Sequence, residues 1–304
     1  MLKGVITPVI TILDEDRNLD FKGNEEVINS LISGGVNGLL FLGSIGEFFA
    51  LTMEEKKKFI SFVIKTVNKR VPVLIGTGGT VVEEVIELTN FADAEGADYA
   101  VVISPYYFKL NDESLYNYFS EVAKNTKLPL ILYNFPDRTA VNINPKLVLR
   151  LAKEFKNIAG IKDTVDNISH TRQLIDTVKS EVKDFAVFSG FDEYFIPNLL
   201  SGGNGLIGGL TNIAPEEFAK LYKAYNDKDF NTVEKLQLFV NVLMNIYTVS
   251  DFFIPAIKTA KMLSGYNIKP VCKSPASGLS ESQVEEIKEI LIRAKLIINE
   301  SSLL

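Results

Sequence analysis

Ile158-Ala159-Gly160-Ile161-Lys162-Asp163-Thr164 is a short apolar run that ends in charged and hydroxyl side chains. An uninterrupted apolar run of this length is typical of a strand buried on both faces, as in a parallel sheet. Similar runs recur along the chain, and stretches with the helical period separate them. These eight strand–helix units predict the α/β class and a (β/α)₈ TIM barrel rather than an open doubly wound sheet. The other seven runs begin at Val5, Gly38, Val73, Ala100, Leu130, Phe185 and Gly205.

The last quarter of the chain lacks the strand pattern. Helical periodicity predicts helices at Phe230–Tyr247, Ile254–Ser264 and Glu281–Ile298. We therefore expect residues 1–225 to form the barrel catalytic domain and residues 226–304 to form a C-terminal helical extension packed on it.

The composition excludes several classes of protein. Of 304 residues, 46% are hydrophobic and 23% charged, which is typical of a globular protein with a large core. The net charge of −6 argues against a nucleic-acid partner. Met1–Pro8 is too short to be a signal peptide, and no apolar run reaches the length of a membrane span. We expect a cytoplasmic protein with no membrane partner.

Cysteine and histidine are almost absent. The single Cys272 excludes an internal disulfide, and zinc sites need more Cys and His ligands than this chain has. No metal is therefore expected. The single His170 lies in the polar run 167–172, which predicts the exposed start of a helix and no catalytic triad.

The residues that follow the strands indicate where the chemistry lies, because barrel active sites form at the C-terminal ends of the strands. Lys162 ends the sixth run, so its amino group is expected in the barrel mouth, although an ion pair with Asp163 is the structural alternative. Desolvation lowers the pKa of an ammonium, and a free amine attacks carbonyls. Tyr133 ends the neighbouring run and could move the protons of a Schiff-base reaction.

Two glycine-rich turns suggest anion sites. Gly43-Ser44-Ile45-Gly46-Glu47 could direct backbone N–H groups at a carboxylate, with Ser44 adding a hydroxyl. Gly202-Gly203-Asn204-Gly205 and Gly208-Gly209 flank the eighth strand, where barrels often hold phosphate, so a phosphorylated substrate stays open. Tight turns around a short strand are the better explanation of these glycines. Gly76-Thr77-Gly78-Gly79 lacks the third glycine of a dinucleotide fingerprint, so NAD is not expected.

Four motifs occur together and in order: Gly43-Ser44-x-Gly46-Glu47, Ser104-Pro105-Tyr106-Tyr107, Tyr133-Asn134-Phe135-Pro136 and Gly160-Ile161-Lys162-Asp163-Thr164. With them the chain resembles, over almost its whole length, the dihydrodipicolinate synthase and N-acetylneuraminate lyase family of class I aldolases. The resemblance implies a Schiff base between Lys162 and pyruvate or a pyruvate-derived 2-oxo acid, and no other cofactor.

The resemblance also implies the roles of the remaining site residues. Tyr133 would be the acid–base group, with Ser44 in its proton relay, and the backbone of Ser44 and Ile45 would hold the substrate carboxylate. Tyr107 matches a tyrosine that family members donate to the neighbouring subunit's site. A homotetramer, assembled as a dimer of dimers, is therefore expected.

Within the family, the chain most resembles the bacterial 2-keto-3-deoxygluconate aldolases, and the stretches that carry this resemblance are Val71–Thr80, Tyr133–Pro136 and Gly160–Asp166. Gly190, Asp192 and Glu193 match the loop that contacts the polyol chain in sugar-acid lyases, and Ile207 is expected to line the same site. Arg138 stands where synthases hold an arginine for their dicarboxylic substrate, whereas Ile45 replaces a hydroxyl residue of the synthases.

These residues leave three functions to distinguish. The leading prediction is reversible cleavage of 2-keto-3-deoxygluconate, or a similar sugar acid, into pyruvate and an aldehyde. The first alternative is dihydrodipicolinate synthase, which condenses pyruvate with aspartate semialdehyde. The second is a catalytically inactive barrel that binds a ligand, because a fold alone does not establish chemistry.

Overall fold

A computed structural model describes residues 2–299, and eight parallel strands in it form a closed barrel. Each strand pairs with its neighbours in sequence order, and the last pairs with the first. Each strand is linked to the next by helical segments, as a parallel closed sheet requires. The strands are β1 (Gly4–Pro8), β2 (Gly38–Phe41), β3 (Val73–Gly76), β4 (Tyr99–Ile103), β5 (Leu130–Asn134), β6 (Ile158–Asp163), β7 (Ala186–Ser189) and β8 (Gly205–Ile207).

Helices surround the barrel and form the extension. The barrel helices are α1 (Phe21–Ser33), α2 (Met53–Val67), α3 (Val82–Glu95), α4 (Asp112–Asn125), the short α5 (Pro136–Thr139), α6 (Pro145–Glu154), α7 (Ile168–Lys179), α8 (Phe195–Leu200) and α9 (Pro215–Asp227). The extension contains α10 (Phe230–Leu243), α11 (Ile254–Leu263) and α12 (Glu281–Asn299). Short 3₁₀ helices lie at Phe48–Ala50, Asp192–Tyr194, Gly209–Asn212 and Met244–Thr248.

Helix α2 shows how the local sequence specifies a barrel helix. Thr52 and Glu55 form a capping box that satisfies backbone N–H groups at its start. Phe59, Val63 and Val67 lie on one face at the helical period and are buried against the barrel. This spacing is the helical period that separates the strand runs in the sequence.

The structure confirms the predicted TIM barrel with a C-terminal helical extension. One boundary in the extension differs from the prediction. The helix predicted over Phe230–Tyr247 is α-helical only to Leu243 and continues as the 3₁₀ helix Met244–Thr248. Periodicity does not separate these two helix types, because a single 3₁₀ turn changes the period over too few residues.

The extension packs on the barrel through α10, which contacts α9, and through α11. A buried ion pair joins Lys258 of α11 to Glu47 in the loop after β2, with 2.5 Å between Nζ and Oε1. Residues 300–304, the end of the predicted extension, lie outside the described residues. Within residues 2–299, no helix combines the length and apolar character that a membrane crossing requires.

Candidate active site

Lys162 and Tyr133 face each other at the C-terminal ends of neighbouring strands. They are direct partners in the register of β5 and β6, which places both side chains at the same level of the barrel. The Lys162 Nζ lies 4.2 Å from the centre of the Tyr133 ring. Both residues are buried, with 5% and 4% of their surfaces exposed. A lysine amine and a phenol ring therefore share one site that is largely shielded from water.

Asp163 points away from this site, because successive side chains of a strand face opposite sides. Its Oδ1 accepts a hydrogen bond from Asn134, and its Oδ2 accepts hydrogen bonds from His170 Nδ1 at 3.1 Å and Thr171 at 2.8 Å. The alternative ion pair between Lys162 and Asp163 is thus absent from the described residues. Lys162 remains directed into the barrel mouth.

His170 does not lie on an exposed helix start, so that prediction was wrong. It is 9% exposed, and the Asp163 carboxylate holds its ring beneath the start of α7. The polar run 167–172 suggested solvent exposure, but a buried carboxylate on β6 draws the ring inward. Its partner is Asp163 rather than Lys162 or Tyr133, which agrees with the prediction that it belongs to no catalytic triad.

The loop after β2 places Ser44 next to the phenol. The Ser44 Oγ hydrogen-bonds the Tyr133 hydroxyl at 3.3 Å. Among the described residues, the backbone N–H groups of Ser44 and Ile45 donate to no protein acceptor. Two free N–H groups in one turn are suited to a carboxylate. The buried Ile45 side chain covers the same side of the cavity.

A cavity of about 430 Å³ opens above Lys162. Its volume suits a small metabolite, since ligand pockets usually measure about 300–1,000 Å³. Strand ends form its floor, and the C-terminal extension forms its opposite wall. The predicted site residues that line it are Ser44, Ile45, Tyr133, Arg138, Lys162, Gly190, Asp192, Glu193 and Ile207.

Asp192 is the most perturbed carboxylate in this cavity. Burial raises its pKa to about 7, although hydrogen bonds oppose that shift. The Tyr247 hydroxyl donates to its Oδ2 at 2.8 Å, and the Leu210 N–H donates to its Oδ1 at 3.2 Å. Glu193 is only partly buried, and desolvation raises its pKa as well.

Arg138 and Tyr107 lie farther from the chemistry. The Arg138 guanidinium lines the cavity and lies 5.6 Å from the centre of the Phe135 ring. Within the described part of the chain it forms no ion pair with Asp137. Tyr107 is 87% exposed, has a positive φ of 91° and lines no part of this cavity. The single chain therefore does not bring Tyr107 to Lys162.

The sequence did not predict the contribution of the extension to the site. Asn241, Asn245, Tyr247, Thr248 and Phe253 line the cavity wall opposite the strand ends. They follow no strand, so the rule that located the other residues could not find them. A polar cluster near the end of an otherwise apolar helix was the available signal.

The two glycine motifs around β8 lie at opposite ends of the strand. Gly202 and Gly203 precede β8 and lie at its N-terminal end, away from the cavity. Gly208 and Gly209 follow β8 at the barrel mouth. Only the second pair can therefore influence what the cavity binds.

A family model described as "Dihydrodipicolinate synthetase family" matches residues 1–294. The chain belongs to this family. Membership confirms the predicted resemblance and the predicted lyase class, and so favours an enzyme over an inactive ligand-binding barrel.

Members of the dihydrodipicolinate synthetase family whose names state different activities resemble this chain. "Putative 2-dehydro-3-deoxy-D-gluconate aldolase YagE" of Escherichia coli is 42% identical over 97% of this chain and 98% of its own length. The "4-hydroxy-tetrahydrodipicolinate synthase" of Methanocaldococcus jannaschii is 38% identical over 96% and 98%. The crystal structure of YagE from E. coli K12 in complex with pyruvate matches with a TM-score of 0.95 at 42% identity, covering 97% of this chain and 99% of that one.

Proposed function

We propose that this protein is a class I aldolase that reversibly cleaves 2-keto-3-deoxygluconate, or a similar 2-keto-3-deoxy sugar acid, to pyruvate and an aldehyde. The observation that carries this proposal is the pairing of Lys162 Nζ with the Tyr133 ring at 4.2 Å, beneath a cavity that also contains Asp192 and Glu193. Hydrogen-bond acceptors at that end suit a substrate with hydroxyl groups.

The first half of the reaction forms the covalent intermediate. The Ser44 and Ile45 N–H groups hold the substrate carboxylate, which directs the adjacent carbonyl at Lys162. The neutral amine attacks C-2 to give a carbinolamine. Tyr133 protonates the departing hydroxyl, water leaves, and a protonated Schiff base forms.

The second half breaks the carbon–carbon bond. The Tyr133 oxygen takes the proton from the C-4 hydroxyl, and the C-3–C-4 electron pair moves to the iminium nitrogen. An aldehyde and an enamine of pyruvate result. Protonation of the enamine carbon and hydrolysis then release pyruvate and restore Lys162. The hydrogen bond to Ser44 orients the phenol throughout.

The synthase is the second candidate function, and Arg138 is the observation that favours it. Its guanidinium lines the cavity without an ion pair in the described region, so it could bind the carboxylate of aspartate semialdehyde. Asp192 and Glu193 line the same cavity and would oppose a second carboxylate. We therefore place the synthase second.

The quaternary and cellular settings complete the proposal. We infer a homotetramer in which Tyr107, exposed in one chain, enters the site of a neighbouring subunit. We also infer a cytoplasmic protein without metal or other cofactor, and the single Cys272 is compatible with a reducing compartment.

Pyruvate release from 2-keto-3-deoxygluconate, followed with lactate dehydrogenase and NADH, tests the proposed function. We expect rapid release by the unmodified enzyme. No release, together with activity on pyruvate plus aspartate semialdehyde that Arg138→Ala selectively weakens, would establish the synthase instead. If Arg138→Ala lost sugar-acid cleavage but no activity toward aspartate semialdehyde, that result would count against the synthase.

A further inference from the structure

Gly208 and Gly209 make room for two polar side chains rather than for a ligand. A Cβ on Gly208 would lie 2.2 Å from Asp192 Oδ1, and a Cβ on Gly209 would lie 2.5 Å from the Tyr247 hydroxyl. Neither approach is sterically possible for a larger residue without displacing the polar group. The glycine pair is therefore required for Asp192 and Tyr247 to meet at the end of β8.

Asp192 occupies the position at which the loop after β8 could otherwise receive an external anion. Its Oδ1 accepts the Leu210 N–H from that loop, so the protein's own carboxylate uses this donor. The side chain is 1% exposed and lines the cavity. A phosphate bound against Asp192 would meet a buried carboxylate, and like charges repel strongly where water is scarce. Arg138 and Lys162 line the same cavity, so the barrier depends on a distal phosphate being placed against Asp192 rather than against these cations.

Tyr247 fixes the direction of this carboxylate. Its hydroxyl donates to Asp192 Oδ2 at 2.8 Å from the 3₁₀ helix Met244–Thr248 of the extension. The positive charge of Lys162, in the same cavity, lowers the pKa of Asp192 and so favours its charged form. Each carboxylate oxygen has capacity for a second hydrogen bond, which a substrate hydroxyl can supply.

We infer that Tyr247 is a positioning residue that holds Asp192 as a charge barrier, so that the site selects sugar acids with an uncharged, hydroxylated distal end and rejects their phosphorylated counterparts. This inference rests on the proposed function. It assigns to the extension a role in substrate selection, whereas the strand ends carry the chemistry.

The test compares pyruvate release from 2-keto-3-deoxygluconate and from its 6-phosphate at pH 8. We expect kcat/KM to be lower for the phosphate by about 100-fold, and Asp192→Asn to reduce that ratio at least about tenfold. Equal kcat/KM for the two substrates in the unmodified enzyme would overturn this inference and leave the proposed function intact. Release from neither substrate would overturn both.

The role of Tyr247 is tested by the pH dependence of Tyr247→Phe. The hydrogen bond from Tyr247 lowers the pKa of Asp192, so its loss should raise that pKa. The midpoint of the acid limb in the pH profile of kcat/KM for 2-keto-3-deoxygluconate should therefore rise by about one pH unit. Tyr225→Phe, on the barrel helix α9, is the matched control and should leave the limb in place. A lower rate without any shift of the limb would show a merely structural role and overturn the assignment.

Discussion

At the residue scale, the chemistry depends on which side of a strand each side chain faces. Lys162 and Asp163 are adjacent, yet one points into the barrel mouth and the other toward α7. This alternation separates the proposed nucleophile from the nearest carboxylate, which would otherwise hold it as an ion pair. A shift of one residue along β6 would therefore remove the lysine amine from the cavity.

Lys162→Ala should abolish the trapping of a pyruvate adduct by borohydride, because no other amine occupies its position on β6. Mass spectrometry of the intact protein measures the adduct. Lys183→Ala, which removes an exposed lysine, should trap pyruvate normally. An adduct that persists in Lys162→Ala would refute the proposed mechanism.

Tyr133→Phe should retain substrate binding but lower kcat by about 10²–10⁴, which is the usual contribution of a positioned acid–base group. The ring remains to pack beside Lys162, so only the hydroxyl and its hydrogen bond to Ser44 are lost. Steady-state kinetics measure kcat and KM separately, so a loss of turnover can be told from a loss of binding. Unchanged turnover would mean that another group transfers the proton.

At the element scale, the sequence predicts most of the barrel because strands and helices follow local periodicity. Lys162, Tyr133 and Ser44 were found from the sequence because each lies at or just after a strand end. Tyr247 could not be found, since its place in the cavity depends on where α10 tightens into a 3₁₀ helix and packs on the barrel. His170 was misplaced because its buried partner comes from another element.

The Glu47–Lys258 ion pair should be a main link between the barrel and the extension. Both side chains are buried, and Lys258 also donates to the Val271 carbonyl. Lys258→Met would leave the buried Glu47 carboxylate without its cation, although the Lys273 N–H still donates to Oε2 at 2.7 Å. The variant should lower the free energy of unfolding by about 3–5 kcal/mol. Urea denaturation measures this.

An exposed pair provides the control for that measurement. Lys269 and Glu15 lie 2.5 Å apart but are 57% and 76% exposed, so Lys269→Met should change stability by less than about 1 kcal/mol. The double variant Glu47→Gln with Lys258→Met should recover part of the loss. Equal effects of the two single lysine variants would show that burial of the Glu47–Lys258 pair contributes nothing.

Helix α11 also carries a lysine whose burial makes stability depend on pH. Desolvation lowers the pKa of Lys261 to about 8 from its usual 10.5. Between these values the unfolded chain binds more protons than the folded one, so stability rises with pH across this window. The charge of Glu26 opposes this desolvation in part, and below pH 8 the charged side chain still costs about 3 kcal/mol.

Lys261→Met should remove this pH dependence. Urea denaturation of the variant and of the unmodified protein at pH 7 and pH 10 gives the difference in the free energy of unfolding. We expect the stability of the unmodified protein relative to Lys261→Met to be greater at pH 10 than at pH 7. A difference that is constant across the window would mean that Lys261 keeps its usual pKa in the folded state.

At the scale of the whole molecule, the exposed Tyr107 and Phe108 suggest a surface that other subunits cover. They are 87% and 71% exposed and pack edge to face on each other. Light scattering after gel filtration should give four times the mass of one chain. A monomeric mass with full activity would refute both the tetramer and the role of Tyr107 across subunits.

The cavity has a floor of strand ends and a wall of helices from a separate part of the chain. Substitutions in residues 241–248 should therefore change which ligand the cavity accepts while leaving the strand ends, with the proposed nucleophile, unaltered. A duplicated gene could acquire a new substrate through a few changes in this wall. Such a division would let a lineage change its substrate in small steps while the proposed catalytic residues stay in place.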